Sequence, residues 1–450
     1  MIMQYSSADD AGLRRKREIS HILSLSLGNG LEYYNFALYA FFAPFIGETF
    51  FDLGSNRHTL LPALIVFGSG FLFRPLGAFL MGRMALKRGE ASTLALTFLL
   101  MGAASVGFVL LPGAHQIGIL APILVFVLRA VQGFAEGGEI GPATQMLYAA
   151  SSGPSQVFNT TLQYITQYVA ILIAAFLGTL VSAELPEHAM ANWGWRIPFL
   201  LGGVVVIFGL RLRFRDVKGS SAPQAQAPQS AHCQQSASIG GGFLTLTAAL
   251  ILCVVSASAF TTYVRSFGVS YAMGQLHATA LTSLLSMTIG VGAGLLAMIT
   301  GIILYHRVSR RFVLIATIVS TEILILPVYL LCIKHPSFLT LVVLNTVTYW
   351  LSGITSAISI MTVLRAIPVG RRSFVFGMLY TIAVSIFGGL AQPVMQWAIN
   401  RTGWQLLPAF ATMVACPAGL LSLLVLLGRS QEPDVSQLGA SKLDQSCGAG

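Results

Sequence analysis

The 450-residue chain is 55% hydrophobic and only 9% charged, which leaves too little polar surface to coat a soluble globule of this size. Its formal net charge of +10 would suggest a nucleic-acid partner in a soluble protein, but the basic residues fall in short runs between apolar segments, and nucleic-acid binding is excluded on that ground. The five cysteines, Cys233, Cys253, Cys332, Cys416 and Cys447, form no C-x-x-C pair, and no His cluster has metal-ligand spacing, so neither metal nor cofactor is expected.

Twelve apolar blocks predict twelve spanning helices: 19–50, 59–84, 91–112, 117–148, 157–184, 196–214, 243–270, 279–305, 311–333, 337–366, 373–399 and 404–428. Each is near or above the ~20 residues a bilayer requires. The first block follows a basic stretch as a signal peptide would, but it is too long and lacks a small-residue cleavage site, so it is expected to remain as helix one. Of the 26 Lys and Arg residues, 19 fall in the termini and alternate loops on one side, among them Arg14 to Arg17, Arg83, Lys87, Arg88, Arg310, Arg311, Arg371 and Arg372. The opposite loops hold Arg57, Lys334 and Arg401. This bias places both termini in the cytoplasm.

Between Lys218 and Gly242 the chain turns to Ser, Ala, Pro, Gln and Gly, a composition that cannot bury a core. The predicted organisation is a cytoplasmic tail 1–18, a six-helix bundle 19–214, a cytoplasmic linker 215–242, a second six-helix bundle 243–428 and a cytoplasmic tail 429–450. The fold class is thus an all-α membrane protein, and six plus six helices about a central site is the major facilitator architecture. No partner chain is called for, and a monomer is expected.

Charges inside membrane helices cost roughly 2.5–3.5 kcal/mol each and persist where they face a cavity or a partner. In helix one Gly28, Glu32, Asn35 and Tyr39 share a face, and Glu32 is its carboxylate. Arg74 in helix two, followed by Pro75, can present a forked donor to an anionic substrate or pair with Glu32 or a helix-four glutamate. In helix four Arg129, Gln132, Glu136 and Glu139 fall within about 80° of one another, a polar stripe. Gly133, Gly137 and Gly141 line the neighbouring face at a spacing that admits a close helix. These charges either bridge helices structurally or let a glutamate alternate between ion pair and proton.

Arg196 lies beside Trp193 and Trp195 near the end of helix six, as an interfacial anchor or a gate. Thr160, Gln163 and Gln167 in helix five share a face, as do Ser352, Ser356 and Ser359 in helix ten. Tyr380 and Gln392 in helix eleven are further inward candidates. Glu322 in helix nine has no evident role. No nucleophile with a base and no phosphate loop is present, so the chain is not read as an enzyme.

Five ordered stretches carry a family resemblance: G-N-G-L-E-Y-Y-N-F-A-L-Y from Gly28, R-P-L-G from Arg74, L-R-A-V-Q-G-F-A-E-G-G-E from Leu128, W-G-W-R-I-P-F from Trp193 and I-F-G-G from Ile386. Together they resemble the metabolite:proton symporters of the major facilitator superfamily, and the opening motif is most similar to citrate or tricarballylate carriers. The resemblance implies a multi-pass protein of a bacterial inner membrane that moves a small organic acid with protons by alternating access. From the helix faces and buried charges above, substrate binding is expected of Arg74, Glu32, Asn35, Tyr39, Gln163, Gln167 and Tyr380, and proton coupling of Glu32, Arg129, Glu136 and Glu139, the resemblance favouring a functional role for Arg129. Gating is assigned to Gly82, Lys87, Arg88, Gly89, Glu90 and Arg196.

The chain also departs from the pattern. Asn35 stands where the family has Asp. In the inner loop Leu86 replaces an Asp and Glu90 an Arg, so the expected latch between bundles is altered. Two other readings therefore stay open: a proton-coupled carrier of betaine- or proline-like osmolytes, and a non-transporting, sensor-like member.

Overall fold

Residues 29–30, 33–52, 59–88, 90–137, 144, 147–148, 154–203, 241–368 and 372–429 are described by a computed structural model, and among them every regular element is helical. Each of the twelve apolar blocks contains helix where it is described. Eight of these runs are long and apolar enough to cross a bilayer.

The first half holds α1 (33–51), α2 (Leu60–Leu72), α3 (Arg74–Arg88), α4 (Glu90–Leu110), α5 (Leu120–Glu136), α6 (Pro154–Glu184) and α7 (196–203). Pro154 opens α6 at the position where a missing N–H costs nothing. A π turn at Met190–Gly194 leads into α7. The second half holds α8 (Gly241–Ser266), α9 (Gly268–Gln275), α10 (Ala280–Arg307), α11 (Arg310–Lys334), α12 (Phe338–Ala366), α13 (Arg372–Ala383), α14 (Gly389–Thr402) and α15 (Leu407–Arg429). Thr279 caps α10 through the Thr282 N–H, and Ser337 with Thr340 forms a reciprocal cap on α12. The expected linker 215–242 lies outside the described residues except at its end, where α8 already begins at Gly241.

Glycine faces set the helix spacing in the first half. A methyl at Gly133 would meet the Gly70 carbonyl, one at Gly137 the Arg74 carbonyl, and one at Gly77 the Phe134 carbonyl. The small-residue face of α5 therefore packs backbone to backbone on α2 and α3. The opposite, apolar surface of the bundles stays open to lipid, with Leu72, Leu110, Phe312, Ile323 and Leu339 exposed.

The halves interlock along a seam that α2 and α14 share. Pro75 has no N–H to return to the Phe71 carbonyl, and that freed oxygen accepts from Ser385 Oγ at 2.8 Å. Gly389 packs against Gly68 and Phe71 at the same place. Further along the seam Ser270 Oγ donates to the Ala40 carbonyl at 3.2 Å, and the Thr179 and Thr288 hydroxyls meet at 3.1 Å.

Candidate functional site

Two polar regions lie inside this frame, one within the first bundle and one between the bundles. In the first, Arg74 at the start of α3 forms an ion pair with Glu136 at the end of α5, both about 3% exposed. The Arg74 guanidinium also lies 4.3 Å from the Phe71 ring centroid. Arg129, two turns before Glu136, has its guanidinium 4.7 Å from the Tyr39 ring and 5.0 Å from the Phe67 ring, held as a cation on π faces. It donates to Gln132 Oε1 at 2.7 Å and makes no ion pair with a described carboxylate.

From Gln132 the network continues to α1. Gln132 Nε2 reaches Ser105 Oγ at 3.4 Å, and Ser105 donates to Asn35 Oδ1 at 2.8 Å. A buried chain of hydrogen bonds thus links Asn35 to the Arg129 guanidinium. Of the stripe read along helix four, Arg129, Gln132 and Glu136 are buried, and Glu139 lies outside the described residues.

The second region is a cavity of about 150 Å³ between the halves. The first half contributes Tyr33 from α1 and Tyr164, Gln167 and Tyr168 from α6. The second half contributes Arg265 from α8, Thr321 from α11, Ser352, Ser356 and Ser359 from α12, Tyr380 from α13 and Cys416 from α15. Two contacts cross the cavity: Tyr33 and Tyr380 share a hydrogen bond of 2.9 Å, and Tyr168 donates to Ser352 Oγ at 3.4 Å. Several wall hydroxyls, including Thr261, Thr348 and Ser356, donate to carbonyls of their own helices. Those hydroxyls face the cavity as acceptors, while Tyr164, Gln167 and Arg265 are among the donor-bearing side chains of its wall.

The expected substrate residues divide between these regions. Gln167 and Tyr380 line the cavity. Gln163 instead accepts from Thr144 at 2.5 Å, and its carbonyl accepts from Asn29 Nδ2 at 3.0 Å. Tyr39 donates to the Ala63 carbonyl at 3.1 Å, and Thr160 to the carbonyl of Gln156 at 2.7 Å. Arg74 and Asn35 belong to the first-bundle network. Gln392 is fully buried and donates to the Tyr263 carbonyl at 3.2 Å, tying α14 to α8.

Of the gating residues, Gly82 and Lys87 are exposed on α3. Arg196 donates to the Leu111 carbonyl at 2.8 Å and lies 5.1 Å from the Trp195 ring, which anchors α7 to the end of α4. Glu32, Gly28, Glu139 and Gly89, and the side chains of Leu86, Arg88 and Glu90, lie outside the described residues. The cavity residues that the sequence reading passed over are Arg265, Tyr33, Tyr164 and Tyr168. For Tyr164 and Tyr168 a signal existed, since with Gln167 they share one face of α6.

The profile of the Major Facilitator Superfamily matches residues 25–329. Among curated relatives, the citrate-proton symporter of Klebsiella pneumoniae is 32% identical over 92% of both chains. The alpha-ketoglutarate permease of Escherichia coli K12 is 30% identical over 91% of this chain and 94% of its own length. The proline/betaine transporter of the same strain is 25% identical over 92% and 83%. A solved structure of the xylose transporter XylE from E. coli, in a partially occluded inward-open conformation, superposes with a TM-score of 0.66. It covers 93% of this chain and 98% of that one at 14% identity, a likeness of fold. The chain is a multi-pass membrane transporter and not an enzyme; it belongs to the Major Facilitator Superfamily and, within it, stands with the proton-coupled metabolite symporters.

Proposed function

We propose that the chain carries a small di- or tricarboxylate such as citrate together with protons across a bacterial inner membrane, by rocking of the two bundles about the cavity between them. The observation that carries the reading is the buried Arg74–Glu136 pair beside Arg129. Two guanidiniums and a carboxylate are held there away from solvent, and charges kept inside a membrane domain mark ion and proton pathways. Glu136 is then the described member of the proton-coupling set, with Arg129 beside it and Glu32 and Glu139 its expected partners. The likeness to a citrate-proton symporter and an alpha-ketoglutarate permease supports a carboxylate as cargo.

The test is uptake into reconstituted vesicles under an inwardly directed proton gradient. Labelled citrate accumulates, and a protonophore collapses the accumulation. The reading fails if no member of a panel of di- and tricarboxylates shows gradient-dependent uptake.

A second reading, an osmolyte carrier, is favoured by one feature. Tyr33, Tyr164, Tyr168 and Tyr380 all line the cavity, and aromatic faces suit a quaternary ammonium. Competition between citrate and betaine for the purified protein separates the two readings.

A further inference from the structure

The cavity wall contains a cation that neither the polar stripes nor the family motifs single out. Arg265 stands near the end of α8, and the helix resumes at Gly268 and runs on to Gln275. The residue is therefore inside the rod and beside the cavity, not at a helix terminus. Its guanidinium donates to Thr262 Oγ1 at 2.9 Å and lies 5.3 Å from the Tyr349 ring. Its Nε is buried without a hydrogen-bond partner, and no described carboxylate forms an ion pair with it. Glu322 on α11, whose buried Oε1 also lacks a partner, makes no ion pair with it either.

A guanidinium within a membrane domain is costly unless an anion meets it. Arg74 does not fill that role at this cavity, because its guanidinium faces Glu136 and the Phe71 ring within the first bundle. From Arg265's place on the cavity wall and its unpartnered donor, we propose that Arg265 is the carboxylate anchor of the transported solute. The fork of N–H groups would take a carboxylate in two parallel bonds, with the Tyr164 phenol and the Gln167 amide on the same wall. Arg74 and Arg129 of the first bundle would then serve coupling, and Arg265 of the second bundle binding. This inference rests on the carboxylate reading above and deepens it. The shared chemistry is a carboxylate group, whether on an organic acid or on a zwitterion.

The experiment uses the full chain, purified and reconstituted, with citrate, its triamide and glycine betaine as ligands. Binding is measured for the wild type, R265K, R265Q and E322Q, with thermal unfolding as a check on folding. Losing charge-assisted hydrogen bonds weakens carboxylate binding on the order of 10- to 100-fold in R265Q, and by less in R265K, which keeps the charge. The preference for the acid over its uncharged amide falls by the same factor, which a purely structural role would not produce. If betaine binding shows that loss and citrate does not bind, the anchor stands and the cargo is a zwitterion. If the wild type binds carboxylates and R265Q keeps the acid-over-amide preference, or if E322Q and R265Q lose only thermal stability and to the same extent, the anchor is overturned while the transport reading stands. A wild type that binds none of the carboxylates overturns both.

Discussion

The phenol oxygens of Tyr33 on α1 and Tyr380 on α13 lie 2.9 Å apart, so one hydrogen bond joins the two bundles beside the cavity. Any rocking that separates α1 from α13 must break it. A net hydrogen bond contributes about 0.5–1.5 kcal/mol, so Y33F and Y380F should each shift the balance between cavity-closed and cavity-open states by roughly 2- to 12-fold. The double variant should be no worse than either single one, because both remove the same contact. A double-mutant cycle on the KM for uptake measures this, and additive effects would show that the two phenols act separately.

Glu136 answers to Arg74, and both side chains are buried. Converting it to the neutral amide imitates the protonated carboxyl and removes its ability to change charge. E136Q should therefore abolish gradient-driven accumulation while substrate exchange at equal pH continues. Breaking a buried pair also leaves an uncompensated cation, at about 3–5 kcal/mol, so a fall in Tm is expected beside the loss of coupling. Retained accumulation against a gradient would remove Glu136 from the proton path.

Much of this arrangement could be read from the residues, and the exceptions have physical causes. The apolar blocks locate helices because a bilayer demands continuous hydrophobic runs, and the stripe Arg129, Gln132, Glu136 was legible because helical spacing stacks those positions. The glycine face of α5 was legible for the same reason. Arg265 was not, since an arginine near the end of an apolar block looks the same whether the helix stops there or resumes. The expected substrate role of Tyr39 followed from its sharing a face with Asn35. Its hydroxyl is engaged by the Ala63 carbonyl within the first bundle, a partner that spacing along one helix does not reveal. Ser352, Ser356 and Ser359 do face the cavity, although hydroxyls on membrane helices commonly serve only their own backbone.

Asn35 occupies the position where the family resemblance leads one to expect an acid, and its Oδ1 accepts from Ser105 in the network from Arg129. N35D should place a titratable group within reach of that cation. The expected outcome is a larger number of protons moved per solute, measured by recording proton and solute fluxes together in the same vesicles. An unchanged ratio, with solute binding intact, would mean that the amide replaced no working proton site.

Two glycine contacts should respond differently to a methyl group, because one lies within a bundle and the other between bundles. At Gly133 the methyl would press on the Gly70 carbonyl, inside the first bundle. At Gly389 it would come within 2.9 Å of Phe71 Cβ and 3.0 Å of the Gly68 carbonyl, across the seam. Overpacking costs about 1–3 kcal/mol, and Gly133 is the tighter site, since its methyl would overlap a backbone carbonyl. G133A should lower Tm with little change in the balance of conformations, since both states contain the strained contact. G389A strains only the state in which α2 meets α14, so it should shift the population toward the opposite opening of the cavity. Spin-label distances between α2 and α14 in the two variants report the difference. A longer distance in G133A, or an unchanged one in G389A, would mean that the α2–α14 seam does not separate during transport.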